Sequence, residues 1–282
     1  MATTSKATLI TGCSTGIGRA TAIRLAAAGW PVYATARKLD AIKDLEAKGC
    51  KTLALDVCDE ASMRAAVDAV ERAEGAVGVL VNNAGYGLEG CFEETPMELV
   101  RKQFETNVFG LTRLCQLVLP GMRKQRWGRI VNLSSVGGRL TLPGGAFYHA
   151  TKHAVEALSD AMRFELRDFG IDVVVIEPGP IKTEFGNTAI ANVNQVKQDG
   201  SAYAAFNAAV AGKIHEAFEG WMASLAGMPD DVAKAIEHAI TASTPKTRYP
   251  ITAAARTMMF LRRWLPDRGF DAFLGTQFPR PS

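Results

Sequence analysis

Tyr148 and Lys152 stand four residues apart in "YHATK", at the start of a helix-like stretch. Side chains at i and i+4 share one face of a helix, so the phenol and the ammonium would be neighbours. A phenol titrates near pH 10, too high for acid–base work at neutral pH. A neighbouring ammonium favours phenolate over phenol and brings that value down. Such a tyrosine could give a proton to a forming alkoxide or take one from an alcohol. An ordinary helix start with a solvated lysine would show the same pair, so the elements around it must decide.

The second chemical feature is "TGCSTGIG", residues 11–18, with glycines at 12, 16 and 18 between an apolar run and a helical pattern. At a strand-to-helix turn, such a loop lets the backbone approach a pyrophosphate, and the helix N-terminus offers unpaired N–H groups. The spacing is not GxGxxG; the strand before it and the helix after it favour dinucleotide binding over a plain tight turn. Loop residues Gly12, Ser14, Thr15, Gly16, Ile17 and Gly18 are the expected cradle. Where such a fold chooses its cofactor, a carboxylate after the second strand bonds the ribose 2′-hydroxyl of NAD, whereas a basic group accommodates the 2′-phosphate of NADP. This chain has Arg37-Lys38 there and no acid until Asp40. NADP(H) is therefore expected, with NAD(H) as a second possibility; the other reading is that Arg37 and Lys38 open a solvated helix. Asp56, followed by Val57 at the end of the third strand, is placed to meet the adenine amino group.

These residues need a scaffold, and the patterning supplies one. Short apolar runs at 7–11, 32–36, 52–56, 79–82, 129–134 and 171–176 alternate with helical patterns. Those patterns cover about 17–28, a stretch ending near Gly49, 61–73, 96–122 and the Tyr148 helix to about 169. This rhythm implies an α/β, doubly wound, Rossmann-type parallel sheet of about seven strands, with helices on both faces. The nearly all-apolar strands agree, because strands buried on both sides read that way. After Pro178 the rhythm breaks: 186–220 is polar and alanine-rich with weak helical character, a helix is expected at 231–242, a short strand near Tyr249 and a last helix at 253–265. We read 1–282 as one domain, with a substrate-loop elaboration at about 184–225 and a helical tail at about 253–282. Hydrophobic residues make up 48 %, enough for a large core, and a net charge of +3 gives no electrostatic argument for nucleic acid. Five cysteines without a CxxC pair suit free thiols and argue against a disulfide framework or a structural zinc site. No run is long enough for a signal peptide or a membrane span, so a cytoplasmic protein is the default.

Taken together, the motifs resemble the short-chain dehydrogenase/reductase family over roughly residues 6–185. They occur in the family's order: the glycine loop, "NNAG" at 82–85, Asn107 in "FETNVFG", a serine in "VNLSSVGG", YxxxK, and Pro178-Gly179 with Thr183. The wording ("VYATAR", "NNAGYG", "SSVGG") is similar to the branch of 17β-hydroxysteroid and retinol dehydrogenase-like members. The resemblance implies a catalytic set of Asn107, Ser135, Tyr148 and Lys152. Ser135 stands thirteen residues before Tyr148, the family's interval, whereas the Ser134 side chain would face the other way and reads as a strand-end cap. Ser135 would orient the substrate oxygen, Lys152 would also bind the nicotinamide ribose, and Asn107 would anchor a water in the proton relay. Asn83, Ala84 and Gly85 would support the adenosine side, and Pro178, Gly179, Ile181 and Thr183 the nicotinamide amide and diphosphate.

The implied activity is an NADP(H)-dependent oxidoreductase moving a hydride between nicotinamide and a secondary alcohol or ketone. Substrate choice is expected in 136–147 and 184–222, whose glycines, alanines and apolar residues suggest a steroid-, retinoid- or other hydrophobic-alcohol-like compound. Two alternatives stay open: a non-catalytic NADPH-binding sensor or scaffold, and an isomerase or dehydratase on the same fold. The resemblance also implies a homodimer or homotetramer, with the Tyr148 helix and the long 96–122 helix in the interface. His149 and His153 have metal-ligand spacing but no third ligand, so no metal is expected and both read as surface or rim residues. Cys13 reads as a small filler in the loop. The tail "RTMMFLRRWLPDRGF" is basic and amphipathic; packing beside the pocket or a subunit neighbour is expected, with weak peripheral membrane contact as a second reading.

Overall fold

The computed structural model describes residues 4–196, 200–218 and 226–279. Parts of the expected 184–225 elaboration and the last residues of the tail lie outside that range. Seven strands form one all-parallel sheet in the order β3-β2-β1-β4-β5-β6-β7. They are β1 (Thr8–Ile10), β2 (Val32–Ala36), β3 (Lys51–Ala54), β4 (Val79–Asn82), β5 (Gly128–Leu133), β6 (Ile171–Glu177) and β7 (Arg248–Pro250). The order reverses between β1 and β4, so the cleft outside their carboxyl ends is where a ligand of such a sheet is expected.

Helices cover both faces. Helices α1 (Gly16–Ala27) and α8 (Pro229–Thr241) pack on one side through Leu25, Val232 and Ile236, against Ile10, Val131 and Val174. On the other, α2 (Glu60–Glu74), α4 (Leu111–Gln125) and α5 (Ala146–Leu166) set Val70, Leu114, Val118 and Val155 against Leu9, Leu80 and Ile130. Strand β4 is buried at every position and β6 at all but Asp172, as apolar strands under two helical layers must be.

Several expectations are corrected. The stretch ending near Gly49 is not an α-helix but two 3-10 segments, Leu39–Ala41 and Lys43–Lys48, closed by Gly49 in the left-handed region. The 96–122 helix is α3 (Met97–Phe104) and α4 joined by a π-helical segment, Glu105–Gly110. The weakly helical 186–220 region holds two helices, α6 (Phe185–Val196) and α7 (Ala204–Phe218). The tail forms α9 (Ala253–Trp264), at the expected last helix, and a further short helix within the expected helical tail, α10 (Asp267–Gly275); Met258, Met259 and Phe270 pack against Leu140, while Phe260 and Trp264 stay exposed. No helix among the described residues is long and apolar enough to cross a membrane.

Candidate active site

Strand β1 delivers the chain into the glycine loop. Gly12 and Gly16 take positive φ of 71° and 58°, which a side chain would strain. A Cβ on Gly18 would lie 2.5 Å from the Gly12 carbonyl and from Asn83 Nδ2. Thr15 precedes α1 without a side-chain bond to its first turn, so those N–H groups suit an anionic ligand. Ser14 and Ile17 are half-buried beside them. The 82–85 segment clamps the loop: Asn83 Nδ2 donates to the Thr11 and Gly12 carbonyls at 2.8 and 3.0 Å, and the Thr11 hydroxyl accepts from the Asn83 and Ala84 N–H groups at 3.0 and 2.9 Å. Thr183 reaches the loop from beyond β6, 3.1 Å from where a Gly16 Cβ would stand. This backbone cradle fits a dinucleotide diphosphate.

At the adenosine end, Arg37 is exposed just past β2 with no ion pair among the described residues, and its charge is felt at Cys58. Asp56 is half-buried, two residues past β3, and accepts the Cys58 N–H at 2.9 Å. Val57 is buried against Gly110. At the other end, Val136 N donates to the Pro178 carbonyl at 2.9 Å, Ile181 is buried, and Gly179 packs against Thr252 where no Cβ would fit.

Ser135 follows β5 in extended conformation; its hydroxyl accepts the Gly137 N–H at 3.1 Å and lies near enough to the Tyr148 phenol to favour its ionised form. Ser134 is buried on the other side, near Gly138, with no partner for its hydroxyl among the described residues. Lys152 Nζ donates to the Leu133 carbonyl at 2.7 Å and sits 5.8 Å from the Tyr148 ring centre. Asn107 lies in the π-helical segment; its amide donates to Tyr86 O at 2.9 Å and Thr151 Oγ1 at 3.1 Å, and its oxygen accepts the Tyr86 N–H at 3.2 Å. Gly85 lies between Asn107 and Lys152: a Cβ there would be 3.1 Å from Asn107 Oδ1 and 3.8 Å from Lys152 Nζ. Sequence-chosen residues from six motif segments thus converge on one cleft.

The electrostatics correct one expectation. Within the protein alone the Tyr148 phenol lies above its ordinary value, despite the neighbouring Lys152. Burial pushes the phenol above its usual value, Ser135 pulls it back and the charge of Glu89 pushes it further up. Burial also brings Lys152 down to about 8, against the opposing pull of Glu156.

Sequence reasoning missed four participants. Phe185 stands 5.5 Å from the Tyr148 ring and 6.3 Å from Phe218, forming an apolar wall. Thr11, quoted only as a motif letter, is the acceptor that holds the clamp. Glu89 belongs to no motif. His149 is not a rim residue: it is buried, and its Nδ1 accepts the Leu142 N–H at 3.2 Å. Burial takes its pKa down to about 4, so its ring is neutral at pH 7. His153 is exposed, with Nδ1 2.9 Å from the His149 carbonyl. No cluster of metal-ligating side chains occurs among the described residues.

Comparison with known proteins places this geometry. The family model for short chain dehydrogenase matches residues 6–194. The NADPH-dependent 3-dehydrocapnine reductase of Ornithobacterium rhinotracheale is 35 % identical over 93 % of this chain and 94 % of its own. Human retinol dehydrogenase 8 is 37 % identical over 71 % of this chain and 67 % of its own. A solved short chain dehydrogenase/reductase from Burkholderia phymatum in complex with NAD superposes with a TM-score of 0.79 at 25 % identity, covering 100 % of this chain and 98 % of that one. The chain belongs to the short-chain dehydrogenase/reductase family, as an NAD(P)-dependent oxidoreductase of CH–OH and C=O groups.

Proposed function

We propose that the protein is an NADP(H)-dependent oxidoreductase that interconverts a fairly apolar secondary alcohol and its ketone, with Asn107, Ser135, Tyr148 and Lys152 as its catalytic set. The observation that carries this reading is the placement of buried Tyr148 one helical turn from Lys152, whose Nζ is fixed by the Leu133 carbonyl 5.8 Å from the phenol ring, beside Ser135 and the segment that clamps the glycine loop. The cofactor supplies or accepts the hydride when bound. Ser135 orients the substrate oxygen, and Tyr148 exchanges the proton with that oxygen. Lys152, fixed by Leu133 O, holds positive charge beneath the phenol and offers hydrogen bonds to the cofactor ribose. Asn107, pinned by Tyr86 and Thr151, keeps the relay behind Lys152 ordered. Phe185 and Phe218 support the apolar substrate class. Exposed Phe109 and Phe164, on the π-helical segment and on α5, support a homo-oligomer formed through those helices.

A panel of ketones and secondary alcohols, followed by nicotinamide absorbance, tests the activity. Tyr148→Phe should bind NADPH normally and lose turnover; full biological effect from that variant would favour a sensor. Arg37 supports NADP(H), because a guanidinium can pair with the 2′-phosphate bidentately where a carboxylate would repel it. Fluorescence titration should show NADPH bound at least about tenfold more tightly than NADH, with Arg37→Ala erasing the difference. Equal or tighter NADH binding in the unaltered protein overturns the choice.

A further inference from the structure

Glu89 lies in the loop between β4 and α3, on the substrate side of Tyr148. The loop is pinned on both sides of it: Asn192 Nδ2 donates to the Gly87 carbonyl at 2.6 Å, and Gly90 N donates to the Gly144 carbonyl at 2.7 Å. Leu88 is buried. The backbone that carries the Glu89 side chain is therefore held in place on both sides. Its Oε2 would be 2.8 Å from a Cβ on Gly145, the residue that precedes α5, and its Oε1 3.4 Å from one on Gly87. Gly87 in turn touches Phe185, which faces the Tyr148 ring. Glu89 thus stands in the same small space as the reacting phenol and its apolar wall.

Among the described residues the carboxyl has no ion pair and no hydrogen bond. The nearest titratable groups are the wrong ones. His149 reaches the same point beside Gly145 but is neutral, and its Nδ1 is an acceptor occupied by the Leu142 N–H. Tyr148 is disfavoured as a phenolate by the charge of Glu89. Burial alone pushes Glu89 up to about 8. A half-buried carboxyl with no counterion beside aromatic rings is costly to ionise. A cation brought by the ligand would remove that cost.

Building on the carbonyl–alcohol reading above, we propose that Glu89 is a specificity residue for a substrate carrying an ammonium group close to its reacting carbon, an amino ketone or amino alcohol. The ammonium pairs with the Glu89 carboxylate, while Phe185 and Phe218 take the apolar remainder of the molecule.

The test uses three aliphatic ketones of equal chain length: an amino ketone with nitrogen on the carbon next to the carbonyl, the matching hydroxy ketone and the unsubstituted ketone. Binding to the NADPH complex of Tyr148→Phe is followed by quenching of nicotinamide fluorescence, so that affinity is read without turnover. The amino ketone should bind at least about tenfold more tightly than the other two, and adding Glu89→Gln should bring that ratio below about two. Glu89→Ala is the second variant, and NADPH binding in the same titration reports that each protein is folded. Equal affinity for amino and unsubstituted ketones overturns the proposal. So does an equal gain for the hydroxy ketone, or a ratio that Glu89→Gln leaves unchanged. Failure of the underlying activity would look different: no ketone reduced by the unaltered protein while NADPH still binds.

Discussion

Two acidic sites, one buried and one half-buried, flank helix α5, and they are built on opposite rules. Glu156 and Glu177, one turn beyond Lys152 and at the end of β6, are 5 % and 2 % exposed and are surrounded by arginines. Arg248 Nε lies 3.0 Å from Glu156 and 3.5 Å from Glu177, while Arg139 stands 3.9 and 3.8 Å from the same two carboxyls. The protein balances that site itself. At the other end of the helix, Glu89 has no counterion among the described residues, and Lys152 has a single carbonyl partner. Buried charge that the chain neutralises serves the fold, whereas a charge left without a counterion in a cleft is available to ligands. Substitutions on the two sides should therefore fail in different assays.

The largest contrast is expected from Lys152→Met. Removing an ammonium that burial already disfavours should lower kcat by about a thousandfold, near 4 kcal/mol of barrier, while the urea midpoint stays or rises. A comparable loss of stability would erase the distinction between the sites. Arg248→Met should do the reverse, costing about 3 kcal/mol of unfolding free energy, because two buried carboxyls would be left with the more distant Arg139. Adding Glu177→Gln to it should recover part of that loss in the same denaturation experiment.

The smallest effect is a pH slope. Both carboxyls are raised from 4.5 in the fold, Glu177 to about 7 and Glu89 to about 8, each mainly by burial. The folded state holds the proton more tightly, so the stabilisation is complete below about pH 4.5 and lost as pH rises through the folded value. Each group contributes at most about 1.4 kcal/mol per pH unit within its window. Glu177→Gln should flatten the urea midpoint between about pH 4.5 and 7. Glu89→Gln should extend that flattening from 7 to 8, where Glu177 is already ionised. An unchanged slope between 7 and 8 in Glu89→Gln would place Glu89 in a wetter setting than its loop suggests.

The contrast also explains what could be read in advance. The cofactor half was legible because its residues answer to backbone constraints that fix identity. Glycines at 12, 16 and 18 are required where a Cβ would meet carbonyl or amide, and Asn83 and Thr11 clamp by hydrogen bonds few side chains could replace. Strand β4 was placed to the residue because every position of it is apolar or motif. The 3-10 segments after β2 were misread because "LDAIKDLEAKG" has helical composition, and only the short reach from β2 to β3 tightens it. Glu89 and His149 were missed for a different reason. Their meaning depends on surroundings, which adjoining segments impose and which no local pattern carries.

The π-helical segment at Glu105–Gly110 has a consequence of its own. A π turn is an α-helix carrying one surplus residue, and that residue rotates everything after it by about a quarter turn. Here it lets buried Asn107 face Tyr86 and Thr151 while Phe109, two residues on, faces out. Deleting one residue from the segment would leave a more regular helix and a poorer enzyme. Loss of function through local idealisation is a failure that a stability screen would score as an improvement.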